Sequence, residues 1–238
     1  MERRTLQRSL LLQGEWGLTE RVAVRAMIPY RDFKTSGEFE FNGDGMGDVE
    51  AWGLWRLGPE TGKGGGAIGG GLSFPTGKDS PADLTGENVF FGTGAFSLLA
   101  TVEGFRQLPA GFRLFGMARY RWPTAEGDDS YRFADVFGYS GTLAWQRENS
   151  PIGLMAGITG QHLGQDEQYG VKVSNRGGRL NYASLGASVG LGKGLALNIV
   201  SLWLVDQDVR GDQLLAEWQA VTGLTWAWGK HTHPEDED

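Results

Sequence analysis

The sequence predicts an all-β fold, an antiparallel up-and-down transmembrane β-barrel of about 11–12 strands. Three observations predict it. Apolar and polar residues alternate in eleven segments, the connections are short on one side and longer on the other, and aromatic residues cluster near the segment ends. Barrels of this kind have short periplasmic turns, longer extracellular loops and two aromatic girdles.

Composition narrows the alternatives. Of 238 residues, 40% are hydrophobic and 39 are glycine, which indicates a folded chain rich in bends rather than a disordered one. A net charge of −7 without a dense cluster of Lys and Arg argues against nucleic acid as a partner. The lack of cysteine excludes disulfides and thiolate metal sites. Since no run of about 18 apolar residues occurs, a closed barrel is the one membrane-spanning option.

Each alternating segment is close to the length of about nine to eleven residues that a tilted strand needs to cross a bilayer. The strongest alternation lies in 112–122, where Phe112, Leu114 and Ala118 oppose arginines, and the weakest in 195–207, where both faces are apolar. In chain order the segments are 6–16, 20–30, 46–57, 65–75, 92–106, 112–122, 133–146, 152–163, 179–192, 195–207 and 213–228.

Segment 20–30, ERVAVRAMIPY, shows that alternation alone does not say which face is inside. Its apolar face fits the core of a soluble sandwich or the lipid-facing side of a barrel. The connections favour the barrel, because short GLTE, PAG, ENSP and GKG alternate with longer RDFKTSGEFEFNGD, TGKDSPADLTGEN, TAEGDDSY and GQDEQYGVKVSNRGG. We therefore interpret Val24 and Ile28 as lipid-facing and Arg25 as lumenal.

Large aromatic residues on the apolar faces provide a separate test, because Trp and Tyr favour both membrane interfaces. One group falls near the short turns and another near the long loops, which predicts two belts. The first group is Trp16, Trp145, Trp226 and Trp228, and the second is Tyr30, Phe74, Tyr120 and Trp122.

The stretches LLLQGEWGLTERVAVRAMIPYRDF, GDGMGDVEAWGLWRL and GGAIGGGLSFPTG resemble, in that order, the start of the outer-membrane β-barrel family labelled "MetA-pathway of phenol degradation". In that family a strand ends in a YGLTDR-like turn, the next ends in PY, GxGD precedes the third, and the fourth finishes in a PTG-like element. These elements cover 10–77 here. The resemblance implies a channel or transporter in the bacterial outer membrane, in contact with the lipid bilayer, that serves hydrophobic or aromatic compounds.

The N-terminus departs from the family pattern. Members usually begin with a strand before the one equivalent to 6–16, and that strand is absent here. Because bacterial barrels usually have an even strand number, the chain starts late, closes as an odd barrel or uses residues 1–5 irregularly. We expect one barrel domain over 1–229 and an acidic disordered tail over 230–238. The short apolar run 10–12 indicates that no export signal lies in this sequence.

If the polar faces point inward, charges of both signs line the lumen. They would select or orient a solute, as charged rings do in pores. The alternative is that these charges form ion pairs across a narrow lumen only because an unpaired ion there would be costly. The candidate lumen residues are Arg25, Arg56, Arg113, Arg119, Arg121, Glu15, Asp48, Glu50, Glu103 and Glu217.

Little in the sequence indicates an enzyme. A hydrolase would need Ser and His within hydrogen-bond reach, and His162 in GQHLG has no serine nearby in the sequence. We expect no catalytic residue, cofactor or metal site. The leading hypothesis is a passive channel or uptake route for small, hydrophobic or aromatic molecules. The alternatives are a structural or surface-binding barrel whose lumen is blocked by paired charges, and a soluble lipocalin-like carrier.

Overall fold

The computed structural model describes residues 4–36, 41–58, 63–77, 91–127, 130–211 and 216–226. Trp228 and the predicted tail over 230–238 lie outside the described residues. The strands are β1 (Arg4–Gly17), β2 (Val22–Ser36), β3 (Phe41–Met46), β4 (Val49–Arg56), β5 (Gly64–Phe74), β6 (Ser97–Gln107), β7 (Phe112–Pro123), β8 (Tyr131–Arg132), β9 (Val136–Gln146), β10 (Ile152–Leu163), β11 (Glu167–Gln168), β12 (Val171–Lys172), β13 (Gly178–Gly192), β14 (Leu195–Val209) and β15 (Trp218–Trp226).

One 3-10 turn, Pro109–Gly111, connects β6 and β7. No helix in these ranges is long and apolar enough to span a membrane.

Eleven strands close into a barrel, because β3 and β4 pair with successive parts of β2 and form one bent strand. The bend is a β-bulge, since Met46 pairs with Tyr30 whereas Glu50 pairs with Met27, leaving one extra residue on the β3–β4 side. Each of the eleven predicted segments corresponds to one of these barrel strands. The prediction of an up-and-down barrel is confirmed.

The barrel closes through a parallel pair. β1 is antiparallel to β2 on one side and parallel to β15 on the other, over the register from Leu6 with Trp218 to Leu12 with Leu224. A meander with an odd number of strands must close in this way, because its first and last strands run in the same direction. Odd closure is therefore the arrangement that the structure adopts.

Register defines the inner surface, because residues directly opposite each other on neighbouring strands share a face. One row of such partners starts at Arg113 on β7, crosses the parallel seam and reaches Arg31 on β2, so the inner face is continuous through the seam. The row is Arg113, Ala144, Met155, Gly186, Val200, Val221, Ser9 and Arg31.

The outer surface is apolar and exposed. On β2, Val24 is 39% exposed while its neighbour Ala23 is fully buried inside. A soluble carrier would require the opposite orientation, whereas an outward apolar band is what a lipid-facing barrel requires. Other members of the band are Leu10, Leu12, Ile28, Leu72, Leu98, Val102, Leu114, Leu143, Leu154, Ile158, Leu185, Ile199 and Leu224.

The long connections lie at one end of the barrel, as predicted, but one of them differs from its prediction. The stretch 31–44 was expected to be a loop. Instead, Arg31 to Thr35 pair with Gly45 to Phe41, so that β2 and β3 extend the wall. This expectation was wrong, because backbone pairing continues past Tyr30, where the predicted segment ended. In two other connections, β8, β11 and β12 form a small three-stranded sheet.

Candidate functional site: the barrel lumen

An ion-pair network occupies the lumen nearer the short turns. Arg25 Nη2 lies 2.7 Å from Glu15 Oε2 and 2.5 Å from Glu103 Oε1, and Arg25 Nη1 lies 2.7 Å from Glu103 Oε2. Arg56 Nη2 lies 3.5 Å from the other oxygen of Glu15. The Arg25 side chain is only 14% exposed, so both carboxylates are needed to offset its loss of water.

Small residues on β5 allow this network to cross two strands. Arg25 on β2 reaches Glu103 on β6 over the inner faces of β4 and β5. The inner face of β5 includes Gly69 and Gly71, and Leu54 and Trp52 of β4 lean over them. A Cβ added at Gly69 would lie 2.5 Å from Leu54 Cδ2, and one at Gly71 would lie 3.1 Å from Trp52 Cδ2.

A second cluster lies nearer the long loops. Glu50 on β4 accepts a hydrogen bond from Arg119 on β7 and another, at 3.3 Å, from Trp52 Nε1. The Arg119 guanidinium also stacks 5.0 Å from the Trp52 ring centroid. Glu50 thus links two strands across the inner surface, and both of its oxygens are engaged.

Asp48 anchors a chain segment inside the mouth. Its Oδ2 accepts hydrogen bonds from Thr93 N at 2.7 Å and Thr93 Oγ1 at 2.6 Å, and its Oδ1 accepts one from Gly77 N at 3.0 Å. Nearby, the Phe91 ring lies over the inner side of Gly45, where an added Cβ would be 3.0 Å from it. Residues 91–93 are therefore held against the inner wall of β3 and β4.

Three further arginines face the lumen. Arg31 and Arg121 lie near the long-loop end and interact electrostatically with Asp48 and Glu50. At the opposite end, Arg113 Nε donates to Gln107 Oε1 at 2.9 Å, and its guanidinium lies 5.4 Å from the Phe105 ring centroid. Arg31 was missed in the sequence because the predicted segment ended at Tyr30, whereas β2 continues to Ser36.

The opposite wall carries no charge. Within the described residues, every inward-facing position of β9, β10, β13, β14 and β15 is neutral. A cavity of about 450 Å³ opens between this wall and Arg113, at the short-turn end. The larger side chains on the neutral wall are Thr142, Met155, Thr159, Gln161, Leu180, Tyr182, Val200, Leu202, Leu204, Gln219 and Val221.

Nine of the ten predicted lumen residues lie on inward-facing positions of β1, β2, β6, β7 or the bent strand β3–β4. The structure brings Glu15, Arg25, Arg56 and Glu103 into one network and Glu50 and Arg119 into the other. The tenth, Glu217, precedes β15 and is exposed. Their role in a solute pathway stays a prediction.

Most of the predicted interface aromatics lie on the outer face, at the two ends of the barrel. Trp16, Trp145 and Trp226 are exposed near the short turns, and Tyr30, Tyr120 and Trp122 near the long loops. Phe74 is outward-facing and packs edge-on against Phe96 at 5.8 Å between ring centroids. Other exposed outward aromatics are Trp55, Phe112, Phe137, Trp203 and Trp218.

The small sheet on the long-loop side has its own polar core. Tyr131 Oη donates to Asp166 Oδ2 at 2.5 Å, and burial followed by this hydrogen bond raises the pKa of the Tyr131 hydroxyl. Trp122, Arg132, Phe133, Glu167 and Lys172 line a neighbouring cleft of about 370 Å³. No group of three or more His, Cys, Asp or Glu residues able to hold a metal occurs in the described part of the chain.

Comparison with known proteins agrees with this geometry. A family model described as "Putative MetA-pathway of phenol degradation" matches residues 7–214. The chain belongs to this family. The resemblance seen in the sequence is therefore confirmed, and it extends well beyond the four elements in 10–77.

No curated protein matches the chain. Among solved structures, it is similar to an outer membrane channel from Pseudomonas putida F1, with a TM-score of 0.65 and 14% sequence identity, over 83% of this chain and 75% of that one. At this identity the similarity shows the fold. Membership of this family and the apolar outer band confirm the predicted location in the bacterial outer membrane.

Proposed function

We propose that this barrel is a passive route through the outer membrane for small, hydrophobic or aromatic molecules, and that it is not an enzyme. One observation carries the proposal. The ion pairs connect β1, β2, β4, β6 and β7 to one another, while the wall from β9 to β15 is neutral. Paired charges therefore fill one side of the lumen, and the other side is lined by groups that a neutral or aromatic solute can contact.

The cavity beside Arg113 supports an opening at the short-turn end. Its lining combines Phe115 and Met155 with neutral polar residues such as Ser188 and Asn198, and charged residues also line it at Arg113, Arg147 and Glu148. Contact with apolar side chains favours an aromatic body, and the polar groups supply hydrogen bonds. The similar channel from Pseudomonas putida F1 is further support for a route through the membrane.

Single-channel conductance in planar bilayers tests the route. Ala144 faces the lumen opposite Met155, whereas its neighbour Leu143 faces outward and is exposed. We expect Ala144→Trp to lower the conductance at least several-fold, and Leu143→Trp, the matched control, to leave it unchanged. Heat-modifiable mobility on a gel shows that each variant is folded. Absence of current from a folded wild-type sample would reject the channel.

Swelling of protein-containing liposomes tests the solute class. Phenylalanine and glutamine are both zwitterions that cross lipid slowly on their own, but only phenylalanine carries an aromatic ring. We expect phenylalanine to enter faster despite its larger side chain. Faster entry of glutamine would reject the preference for aromatic solutes while leaving the channel intact.

A surface-binding role is the second candidate. The observation that favours it is the cleft on the small sheet, where Trp122 and Phe133 lie beside Arg132, Glu167 and Lys172. Such a mixture of rings and both charges is suited to a polar partner. Under this alternative the folded barrel conducts no current, and substitutions in the cleft rather than in the lumen alter the phenotype.

A further inference from the structure

We propose that Arg31 and Arg121 form a binding site for the carboxylate of a small organic acid at the long-loop mouth of the lumen. This inference rests on the proposed channel and names a class of solute for it. Three properties of the described residues support it: the commitment of the nearby acids, the position of the two guanidiniums and the apolar residues beside them.

The nearby acids are already engaged. Both oxygens of Asp48 accept hydrogen bonds from Thr93 and Gly77, and the oxygens of Glu50 accept from Arg119 and Trp52. The hydrogen bonds that these two carboxylates accept therefore come from groups other than Arg31 and Arg121. Arg31 and Arg121 feel these carboxylates at longer range, without a hydrogen bond to either in the described structure.

The local charge is positive. In this cluster three guanidiniums, those of Arg31, Arg119 and Arg121, face the two carboxylates of Asp48 and Glu50. Across the described inward positions of the barrel strands, arginines also outnumber acids, although the whole chain has a net charge of −7. A cationic lumen attracts small anions, because a low-dielectric wall focuses the field along its axis.

In the part of the chain that the structure describes, Arg121 has an unpaired N–H that can donate to a ligand. Its Nε is buried, and it lacks a hydrogen-bond partner in the described residues. A buried N–H of this kind is costly unless a ligand or water occupies it. The planar fork of a guanidinium fits a carboxylate with two parallel hydrogen bonds, which a halide ion cannot form.

Apolar residues flank the site. Arg121 pairs directly with Leu99 on β6 and with Val136 on β9, and Val136 pairs with Leu163 on β10. Val136 and Leu163 begin the neutral wall. A solute held by its carboxylate at Arg121 therefore places its body against apolar side chains, which favours an organic acid over an inorganic anion.

Reversal potentials of the folded barrel in planar bilayers test the site, with potassium benzoate on one side and potassium chloride on the other. We expect wild type to prefer anions over potassium and to pass benzoate at least as readily as chloride, despite its size. Arg31→Gln and Arg121→Gln should each lower the benzoate-to-chloride permeability ratio several-fold. Arg106→Gln, which removes an equal charge from the outer face of β6, where Arg106 pairs with the outward Leu114, should leave the ratio unchanged.

A second variant separates charge from geometry. Arg121→Lys keeps the positive charge but not the fork, so we expect it to keep the anion preference in a potassium chloride gradient and to lose most of the benzoate preference. Preference for potassium in wild type, or an unchanged benzoate ratio in both glutamine variants, would overturn the site while the channel stands. A folded barrel without any current overturns the channel itself.

Discussion

Substitution of Ile158 by arginine tests the orientation of the wall most directly. Ile158 lies midway along β10, between Leu154, which pairs with Trp145 near the short turns, and His162, which pairs with Phe137 near the long loops. Its side chain is 60% exposed on the outer surface. Arginine at the bilayer midplane of a barrel costs about 2–4 kcal/mol, and near the interface the cost falls to about 0–1 kcal/mol.

Two comparison variants give this prediction its scale. Val24 faces outward too, but it pairs with Trp16 near the short turns, so Val24→Arg should cost about 0–1 kcal/mol. Ser184 faces the lumen and pairs with Gly157, the neighbour of Ile158 in the chain. In Ser184→Arg the guanidinium therefore stays in the water of the lumen. We expect the free energy of unfolding to fall by about 2–4 kcal/mol in Ile158→Arg and by less than about 1 kcal/mol in the other two.

The measurement is reversible denaturant unfolding of the barrel in phospholipid vesicles, followed by tryptophan fluorescence. Equal stability of Ile158→Arg and wild type would refute the lipid-facing assignment of the outer band. A larger loss of unfolding free energy in Ser184→Arg than in Ile158→Arg would reverse the assignment, because the apolar face would then be the interior of the barrel.

Three other perturbations act on the polar contacts. Asp48→Asn should loosen residues 91–93, so that the single-channel conductance rises and fluctuates and the unfolding free energy falls by about 1–3 kcal/mol. An unchanged current trace contradicts the anchoring. Arg25→Gln should cost about 1–2 kcal/mol and shift permeability toward cations, since it removes the partner of Glu103 and leaves Glu15 with Arg56 alone. Reversal potentials in potassium chloride check this. Burial and the hydrogen bond to Asp166 raise the pKa of the Tyr131 hydroxyl. The stability that its neutral form contributes is therefore complete below pH about 10 and is lost only as the pH rises through the higher folded pKa. Ultraviolet titration against Tyr131→Phe measures this, and ionisation of Tyr131 near pH about 10 contradicts it.

Alternation was sufficient to predict the barrel strands, because a strand with lipid on one side and a polar lumen on the other has period two along its whole length. Segment 112–122 shows this, since its outward Leu114 and inward Arg119 both lie where their parity placed them. The parallel pairing of β1 with β15 was not predicted, because the sequence left three possibilities for the N-terminus, of which odd closure was one. Sequence patterns of single strands hold no information about which two strands meet at closure.

The lumen was harder to predict than the wall. Parity placed Arg25 and Glu103 on inner faces, but their contact crosses two strands and depends on the small residues Gly69 and Gly71 between them. Asp48 was expected to line a solute path, and its parity did not predict that its oxygens also accept hydrogen bonds from Thr93 and Gly77. Such long-range contacts follow from the closed shape rather than from local patterns.

The division of the lumen into a charged wall and a neutral wall has a consequence for how this protein can evolve. The residues of the charged wall depend on one another, since substitution of one leaves its partner as an unpaired charge with little access to water. Side chains of the neutral wall, such as Met155 and Val200, form no ion pairs and can be exchanged singly. New solute preferences can therefore arise by substitutions from β9 to β15 while the framework that keeps the barrel folded stays intact.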